Sequence, residues 1–199
     1  MDFNKVLEER RSVRKFKAKD ISWENTADIL ESAIFAPSSG NVQNWLFIVV
    51  KDKENKSKLA ESSKQSWIIE SPILILVCSK NDKIKELYGD KGEKFYSIQN
   101  CAAAIENMLL KATDLGLDSC WVSSFSEKEI IKEFRLTEGV KPQAILAFGY
   151  GDEFEKELKR MPLENFVFFE EFGNKKRDFT LWPVSKHLDN LSKKLNSKK

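Results

Sequence analysis

Residues 10–16 have the sequence Arg-Arg-Ser-Val-Arg-Lys-Phe, which places three guanidinium groups, one ammonium group and one hydroxyl within seven positions. Arginine presents a planar set of donors that matches phosphate oxygens two at a time, and the hydroxyl of Ser12 can donate to the same group. This basic stretch (residues 10–16) therefore predicts a binding site for an anion. The alternative is a basic turn that is merely solvated, which the stretch alone does not exclude.

A second polar segment follows one helix later, where residues 36–45 have the sequence Ala-Pro-Ser-Ser-Gly-Asn-Val-Gln-Asn-Trp. Ser22 can cap the intervening helix, and Pro37 stops it. The apolar, partly β-branched run from Trp45 to Val50 is typical of a buried strand. The polar loop (residues 37–44) therefore lies between a helix end and a core strand. Such flanks position a loop for ligand contact, although an ordinary solvated turn has the same pattern.

The rest of the chain predicts alternating helices and strands. Helices are predicted over residues 2–9, 54–66 and 95–115, and after a capping box that begins at Ser126. Further strands are predicted over residues 72–78, 119–122 and 142–150, while residues 79–92 are predicted to form a surface connection with some helix. The segment 95–115 has an apolar face wide enough to predict burial on more than one side. Taken alone, the alternation predicts a parallel α/β sheet.

Length and charge restrict the class of protein. A chain of 199 residues favours one domain with a real core. Its 33 basic and 31 acidic residues nearly cancel, so no overall field attracts nucleic acid or a membrane surface. Its apolar runs are far shorter than the roughly 18 residues that a membrane-spanning helix needs. We therefore expect a cytoplasmic protein with no nucleic-acid partner and no membrane partner.

Side chains for acid–base or nucleophilic chemistry are scarce. The single histidine, His187, has no acid or nucleophile pattern around it, and the dinucleotide fingerprint, the P-loop and the G-x-S-x-G motif are all missing. Cys78, Cys101 and Cys120 are widely spaced, which favours small core residues over a disulfide framework or a metal site. Many polar binding groups with few catalytic ones are typical of an enzyme whose cofactor does the chemistry. We therefore predict no catalytic side chain and no metal site.

Five stretches together resemble the FMN-dependent nitroreductase family in their order and spacing. They are the basic stretch, residues 36–45, Gly-Leu-Asp-Ser-Cys-Trp-Val at 116–122, Phe-Gly-Tyr-Gly at 148–151 and Arg-Met-Pro-Leu at 160–163. The resemblance covers about residues 8–165. It implies an α+β fold with a central mixed β-sheet flanked by helices, rather than the parallel sheet. It also implies an intertwined homodimer that shares two FMN sites between its subunits.

The resemblance divides the chain into two parts. Residues 1–165 would form the nitroreductase-like FMN-binding domain, and residues 166–199 would form a C-terminal arm that packs on the partner subunit. The aromatic residues between Phe166 and Trp182 favour such an arm independently, because they are too many for a free tail. The alternative is an arm that folds back on its own core.

The resemblance also assigns flavin contacts position by position. The residues assigned to the FMN phosphate and ribityl chain are Arg10, Ser12 and Arg160, with Arg11 assisting. The residues assigned to the flavin ring are Arg14 and Gln65 at the pyrimidine edge, and Val122, Ser123 and Ser124 near N5. The residues contributed by the partner chain are Pro37, Ser38, Ser39, Asn41 and Gln43. A cation such as Arg14 near the pyrimidine edge would stabilise the negative charge of reduced flavin.

The sequence departs from the family pattern at two places. Asn44 stands where proline is common, which frees the backbone of the polar loop. Ser123 and Ser124 stand where glycine is common, which alters the close approach of backbone to the flavin.

The function implied by the resemblance is an NAD(P)H-dependent flavin oxidoreductase. Hydride would pass from the co-substrate NAD(P)H to N5 of FMN, after which an electron acceptor such as a nitroaromatic, a quinone or a flavin would enter the same cleft. The first alternative is a non-redox protein that binds FMN or another phosphate ligand. The second alternative is a partner-docking protein in which the motifs arise by chance.

Overall fold

A computed structural model describes residues 2–152 and 159–175 of the chain. The helices are α1 (Phe3–Glu9), α2 (Trp23–Ile34), α3 (Lys53–Ser63), α4 (Asp82–Lys91), α5 (Ser97–Asp114) and α6 (Glu127–Glu133). The strands are β1 (Trp45–Val50), β2 (Ile73–Lys80), β3 (Asp118–Val122) and β4 (Val140–Gly149). The predicted helices and strands are all present, and the connection at 79–92 contains α4. No helix within the described residues is long and apolar enough to cross a membrane.

The four strands form one sheet in the order β1-β2-β4-β3, and each neighbouring pair is antiparallel. The prediction of a parallel sheet was therefore wrong. The register pairs Val50, the last residue of β1, with Leu74 near the start of β2. The connection through α3 thus begins and ends at the same end of the sheet. A sequence in which helices and strands alternate does not distinguish such a connection from a crossover to the opposite end, which would make the strands parallel.

The α+β fold with helices around a central sheet is confirmed. It differs in one respect from the mixed sheet that the resemblance implies, because its four strands pair only antiparallel. Within the described residues, parallel pairing is confined to an isolated bridge between Ser12 and Ser119. That bridge attaches the basic stretch to β3 at the edge of the sheet.

The core lies on both faces of the sheet. Successive residues of β2 and β4 point to opposite faces, so Ile75 and Leu146 belong to one apolar cluster while Leu76 and Ile145 belong to the other. Helices α2 and α5 cover the first face, and α3 and α6 cover the second. Helix α5 contacts both α2 and the sheet, which confirms that its wide apolar face is buried on more than one side.

Two further details of the fold agree with the sequence. The hydroxyl of Ser22 accepts a hydrogen bond of 3.1 Å from the backbone N–H of Asn25 and so caps α2 as predicted. All three cysteines are buried, as expected for small core residues. Burial raises the pKa of the Cys78 and Cys101 thiols to about 12.

The described residues belong to two compact units, Met1–Glu155 and Lys156–Lys199. In the second unit, the rings of Phe168 and Phe172 have centroids 4.6 Å apart, and Nζ of Lys175 lies 3.9 Å from the centre of the Phe168 ring. Part of the predicted aromatic arm thus packs locally on itself. Phe179, Trp182 and His187 lie outside the described residues.

A cluster of ion pairs at the surface joins β4 and α4 to the turn before α5. The carboxylate of Glu93 lies 2.7 Å from Nζ of Lys85 and 2.8 Å from Nζ of Lys141. Hydrogen bonds from Lys141 and Lys85 lower the pKa of Glu93 from 4.5 to about 2. Glu93 therefore binds a proton less readily in the folded protein than in the unfolded chain.

We expect Glu93→Gln to remove a pH-dependent part of the stability. A lowered folded-state pKa contributes stability that is fully present above the unfolded value of 4.5 and is lost as the pH falls toward 2. The difference in melting temperature between wild type and variant should therefore be constant from pH 7 to about 5.5 and should shrink below about pH 4.5. For comparison, Asp90→Asn removes a carboxylate whose pKa is also lowered, mainly by Lys94, but which has one ion pair instead of two among the described residues, so its pH-dependent loss should be smaller. A difference that stays constant down to pH 2.5 would contradict this prediction.

Candidate functional site

The basic stretch is fixed to the edge of the sheet by its apolar residues. Val13 and Phe16 are buried, and the backbone N–H of Val13 donates to the carbonyl of Ser119 at 2.9 Å. The Phe16 ring packs on Trp67, with ring centroids 6.4 Å apart, and lies against Gly149, where an added Cβ would be 2.5 Å from Phe16 Cδ1. The residues between the two anchors remain exposed. The apolar positions thus hold the cationic ones at the surface.

The three arginines of the basic stretch have different surroundings. The Arg10 side chain is 21% exposed, and its Nε lies 3.7 Å from Oε1 of Glu106 on α5. Nη1 of Arg11 donates to the carbonyls of Glu8 and Arg10, and so satisfies carbonyl groups at the end of α1. The Arg14 guanidinium is exposed and has no hydrogen bond or ion pair to any described residue. Arg10 and Arg14 therefore keep donors for an anion, whereas Arg11 serves the helix end.

The polar loop has an unusual backbone. Its turn Ser39–Asn41 contains Gly40 with φ 57° and Asn41 with φ 53°, and Gln43 follows with φ 50°. Glycine and asparagine tolerate this left-handed region, whereas glutamine does so rarely. Hydrogen bonds within the loop hold this shape. The hydroxyl of Ser38 accepts from the backbone N–H of Gln43 at 3.0 Å, and Oδ1 of Asn41 accepts from Nε2 of Gln43 at 3.1 Å.

The polar loop is also tied to the core. Oδ1 of Asn100, on α5, accepts from the backbone N–H of Ser39 at 2.9 Å and from its hydroxyl at 3.2 Å. Nδ2 of Asn100 donates to Oδ1 of Asn44 at 2.8 Å, and the carbonyl of Asn44 accepts from the backbone N–H of Lys80 at 2.7 Å. The sequence reasoning missed Asn100. The available signal was a polar residue at position 100, four residues before Ala104 and therefore on the same face of α5 as the apolar residues.

The solvent side of the polar loop is open. Pro37, Asn41 and Gln43 are exposed, while Ser38 and Ser39 are half-buried. A cleft of about 530 Å³ borders the loop, and its lining includes Gln43, Asn44 and Lys80. The loop can therefore meet a ligand or another chain on that side.

Gln65 is connected to the basic stretch through two aromatic rings. Its Oε1 accepts a hydrogen bond of 3.0 Å from Nε1 of Trp67, which packs on Phe16. The residues predicted to lie near flavin N5 are at the end of β3, where Val122 is the last residue of the strand and Ser123 and Ser124 follow it. Val122 is buried, Ser123 and Ser124 are exposed.

The segment that follows Ser124 is tied to the end of α3. The backbone N–H of Ser126 donates to the carbonyl of Ser62 at 2.8 Å, three residues before Gln65. Gln65 and the residues after β3 are therefore brought to one region of the first compact unit.

The structure keeps the basic stretch and the polar loop far apart within one chain. Trp45, where the loop enters β1, aligns through Ser79 of β2 with Lys141 of β4. Ser119, which bridges to Ser12, aligns with Phe148 of β4. Seven residues along β4 and three strand spacings across the sheet separate these points by roughly 25 Å. The sheet therefore anchors the two polar segments at distant points, while both segments contact α5, through Asn100 and Glu106.

The remaining predicted contact, Arg160, is exposed and lies in the second compact unit. Among the described residues there is no group of three or more histidine, cysteine, aspartate or glutamate side chains that could hold a metal ion.

Comparisons with known proteins identify relatives of most of the first unit. The sequence model of the nitroreductase family matches residues 7–72 and 63–150. A relative from Archaeoglobus fulgidus, provisionally named NADH dehydrogenase/NAD(P)H nitroreductase, is 34% identical over 144 residues, which are 72% of this chain and 79% of the relative. The FMN reductase (NAD(P)H) of Bacillus subtilis is 27% identical over 177 residues, which cover 80% of this chain and 70% of that protein.

Solved structures agree with the sequence relatives. A nitroreductase family protein of Clostridium difficile 630 superimposes with a TM-score of 0.76 at 31% identity, covering 86% of this chain and 99% of that one. An FMN-dependent nitroreductase of Clostridium difficile R20291 superimposes with a TM-score of 0.72 at 27% identity, covering 84% of this chain and 98% of that one. The family match, which spans more than half of the chain, together with this shared fold, shows that the chain belongs to the nitroreductase family.

Proposed function

We propose that this protein is an NAD(P)H-dependent FMN oxidoreductase that reduces a small acceptor such as a nitroaromatic, a quinone or a flavin. The observation that carries the proposal is the anchored basic stretch, which presents Arg10, Ser12 and Arg14 from one edge of the sheet in a member of this family. Relatives are named as NAD(P)H nitroreductase and as FMN reductase (NAD(P)H), which supports the same cofactor and co-substrate here.

The donor set of this chain fits a flavin phosphate. Only one carboxylate, that of Glu106, forms an ion pair with a guanidinium of the basic stretch within the described residues, and its distance of 3.7 Å is long. The Arg10 and Arg14 guanidiniums therefore retain donors for phosphate or for the pyrimidine edge. Arg160 would add a third cation. When bound, FMN supplies the redox chemistry by accepting hydride from NAD(P)H and passing electrons to the acceptor.

The protein's own residues would bind and orient the flavin. Arg10 and Ser12 would hold the phosphate and ribityl chain. Arg14 and Gln65 would face the pyrimidine edge, where a cation favours the reduced state. Val122, Ser123 and Ser124 would border the ring near N5. Because no side chain needs to donate or remove a proton in this scheme, the scarcity of histidine and of nucleophiles is consistent with it.

The polar loop would contribute to the site from a second copy of the chain. The separation of roughly 25 Å between the points where the sheet anchors the two segments supports this proposal, because a partner chain could bring its own loop to the basic stretch. Large apolar side chains at the surface also support a homodimer, since Phe3, Trp23, Phe35 and Ile98 are each more than half exposed. Pro37, Ser38, Ser39, Asn41 and Gln43 would then contact the flavin held by the other chain.

We further propose that residues 1–165 form the FMN-binding domain and that residues 166–199 pack on the partner subunit. A cytoplasmic location is supported by three cysteines that remain buried thiols, as suits a reducing compartment.

The function is tested by the spectrum of the purified protein and its anaerobic titration. We expect yellow protein, or uptake of about one FMN per chain after reconstitution, and loss of the oxidised flavin absorbance when NADH or NADPH is added. Reoxidation by a nitroaromatic or a quinone should follow. Protein that binds no FMN would contradict the proposal, whereas bound FMN that neither nicotinamide reduces would favour a non-redox binding protein.

A further inference from the structure

Two buried asparagines connect the polar loop to α5. Asn44 is 5% exposed and Asn100 is 3% exposed. Because the backbone N–H of Ser39 can only donate, Asn100 must present Oδ1 to it, and its Nδ2 then faces Asn44. Asn44 must in turn present Oδ1. The hydrogen bonds of 2.9 Å and 2.8 Å therefore fix the orientation of both amides.

The polar loop needs support from outside itself. Gly40, Asn41 and Gln43 have left-handed backbones, a conformation that asparagine and especially glutamine adopt only under constraint. A proline at position 44 would limit the backbone of that residue and of its predecessor. This chain has Asn44 at that position, so the backbone lacks that limitation. The side chain of Asn44 instead reaches α5 through Asn100.

We infer that Asn100 is a positioning residue for the polar loop and that Asn44 holds it in the orientation required. The pair sets the position of Ser39, which the proposed function places against FMN. The inference therefore rests on that proposed function, although the link between the loop and α5 exists without the flavin. Neither asparagine contacts the reacting atoms in this scheme.

The side-chain amide of Asn44 has a donor that forms no hydrogen bond to any described residue, and this donor leads to different predictions for two variants of Asn100. Nδ2 of Asn44 is buried and has no hydrogen-bond partner among the described residues. In Asn100→Asp, the carboxylate can still accept from the N–H and the hydroxyl of Ser39. Asn44 can then reverse its amide, so that Nδ2 donates to the carboxylate while Oδ1 loses its partner. Asn100→Leu has a similar volume but offers no acceptor to Ser39 and no donor to Asn44.

The experiment compares FMN affinity and backbone amide exchange in full-length variants. For Asn100→Leu, we expect the FMN dissociation constant to rise about tenfold and the amide exchange of residues 38–44 in flavin-free protein to accelerate about tenfold. For Asn100→Asp, both quantities should stay within about threefold of wild type. In the double variant Asn44→Leu/Asn100→Asp, both quantities should again depart from wild type as they do in Asn100→Leu, because position 44 then has no amide that can reverse and donate to the carboxylate.

The matched control is Asn107→Leu, which makes the same substitution seven residues further along α5. Nδ2 of Asn107 donates to the carbonyl of Ser32 at 3.1 Å and so ties α5 to α2 instead of to the loop. This variant should lower the melting temperature while leaving FMN affinity and loop exchange within about threefold of wild type.

The possible outcomes separate the two proposals. Wild type that binds FMN, with Asn100→Leu equal to it in affinity and loop exchange, would overturn the inference and leave the proposed function intact. Wild type that binds no FMN would end the proposed function, and the exchange rates would still decide whether Asn100 holds the loop. If Asn100→Leu does not fold, the same two measurements on Asn44→Leu and on Asn44→Leu/Asn100→Asp test whether the pair of asparagines positions the loop. Affinity and loop exchange equal to those of Asn100→Asp in the double variant would overturn the role of Asn44.

Discussion

Arg10→Gln is expected to weaken FMN binding by about a hundredfold, because charge-assisted hydrogen bonds to phosphate contribute roughly 1.5–3 kcal/mol. The Arg10 guanidinium is largely buried, at 21% exposure, so its contacts are screened less than those of a surface cation. Its removal also leaves the carboxylate of Glu106 without its partner beside the bound phosphate. Fluorescence titration of FMN measures the effect directly.

The matched control for this prediction is Lys5→Gln, which removes the same charge from α1, the helix that ends directly before Arg10. Lys5 forms an exposed pair with Glu9 at 3.5 Å, and we expect its loss to leave FMN affinity within about twofold of wild type. Added salt should weaken FMN binding by wild type more steeply than FMN binding by Arg10→Gln. Equal losses in the two variants would mean that only the net charge matters, and Arg10 would then have no specific contact with the flavin.

Two variants that bind FMN poorly are expected to regain native sites when they share a dimer. One carries Arg10→Gln, and the other carries Ser39→Glu, which adds bulk and negative charge to the polar loop. If each site combines the basic stretch of one chain with the loop of the other, a mixed dimer contains one site with both parts intact. In dimers selected through one tag on each chain, which are all mixed, about half of the sites should then bind FMN, whereas each variant alone restores none.

The complementation is measured as FMN bound per chain in co-expressed, doubly tagged dimers. The FMN concentration is set well above the wild-type dissociation constant and well below those of both variants. The control pairs Arg10→Gln with Ser12→Ala, since both changes lie in the same stretch and belong to the same chain's half of each site. In that control, every site of the mixed dimer lacks one phosphate contact. Restoration equal to that of the first pair would show that the two segments do not come from different chains.

Local features of the fold could be predicted from the sequence because short-range chemistry decides them. The Ser22 cap and the strand at Trp45–Val50 depend on residues within one turn or one strand. The strand is not the buried one that was predicted, because it lies at the edge of the sheet and only Trp45 and Val50 are buried. The direction of the strands could not be predicted in this way, because it depends on the end of the sheet to which the connection through α3 returns. Only the pairing of Val50 with Leu74 reveals that return, and no residue pattern encodes it.

The sequence reveals the residue types of the candidate site but not their arrangement. The arginines of the basic stretch and the glycine of the polar loop can be recognised in the sequence, because few other residue types bind an anion with a planar set of donors or adopt a left-handed backbone. The use of Arg11 to satisfy the end of α1 was not visible, since it depends on side-chain direction. Nor was the link from Asn44 through Asn100 to Ser39, because it joins positions 56 and 61 residues apart along the chain.

The buried thiols provide a built-in report on how often the native fold opens. Cys78 and Cys101 are shielded from solvent, and a pKa of about 12 leaves almost none of either group as reactive thiolate at neutral pH. An alkylating reagent should therefore label Cys101 only when α5 separates from the first face of the sheet, and Cys78 only when the second face opens. The labelling rate of Cys101 reports on those openings without any introduced residue, and bound flavin should slow it if the ligand joins elements from both chains.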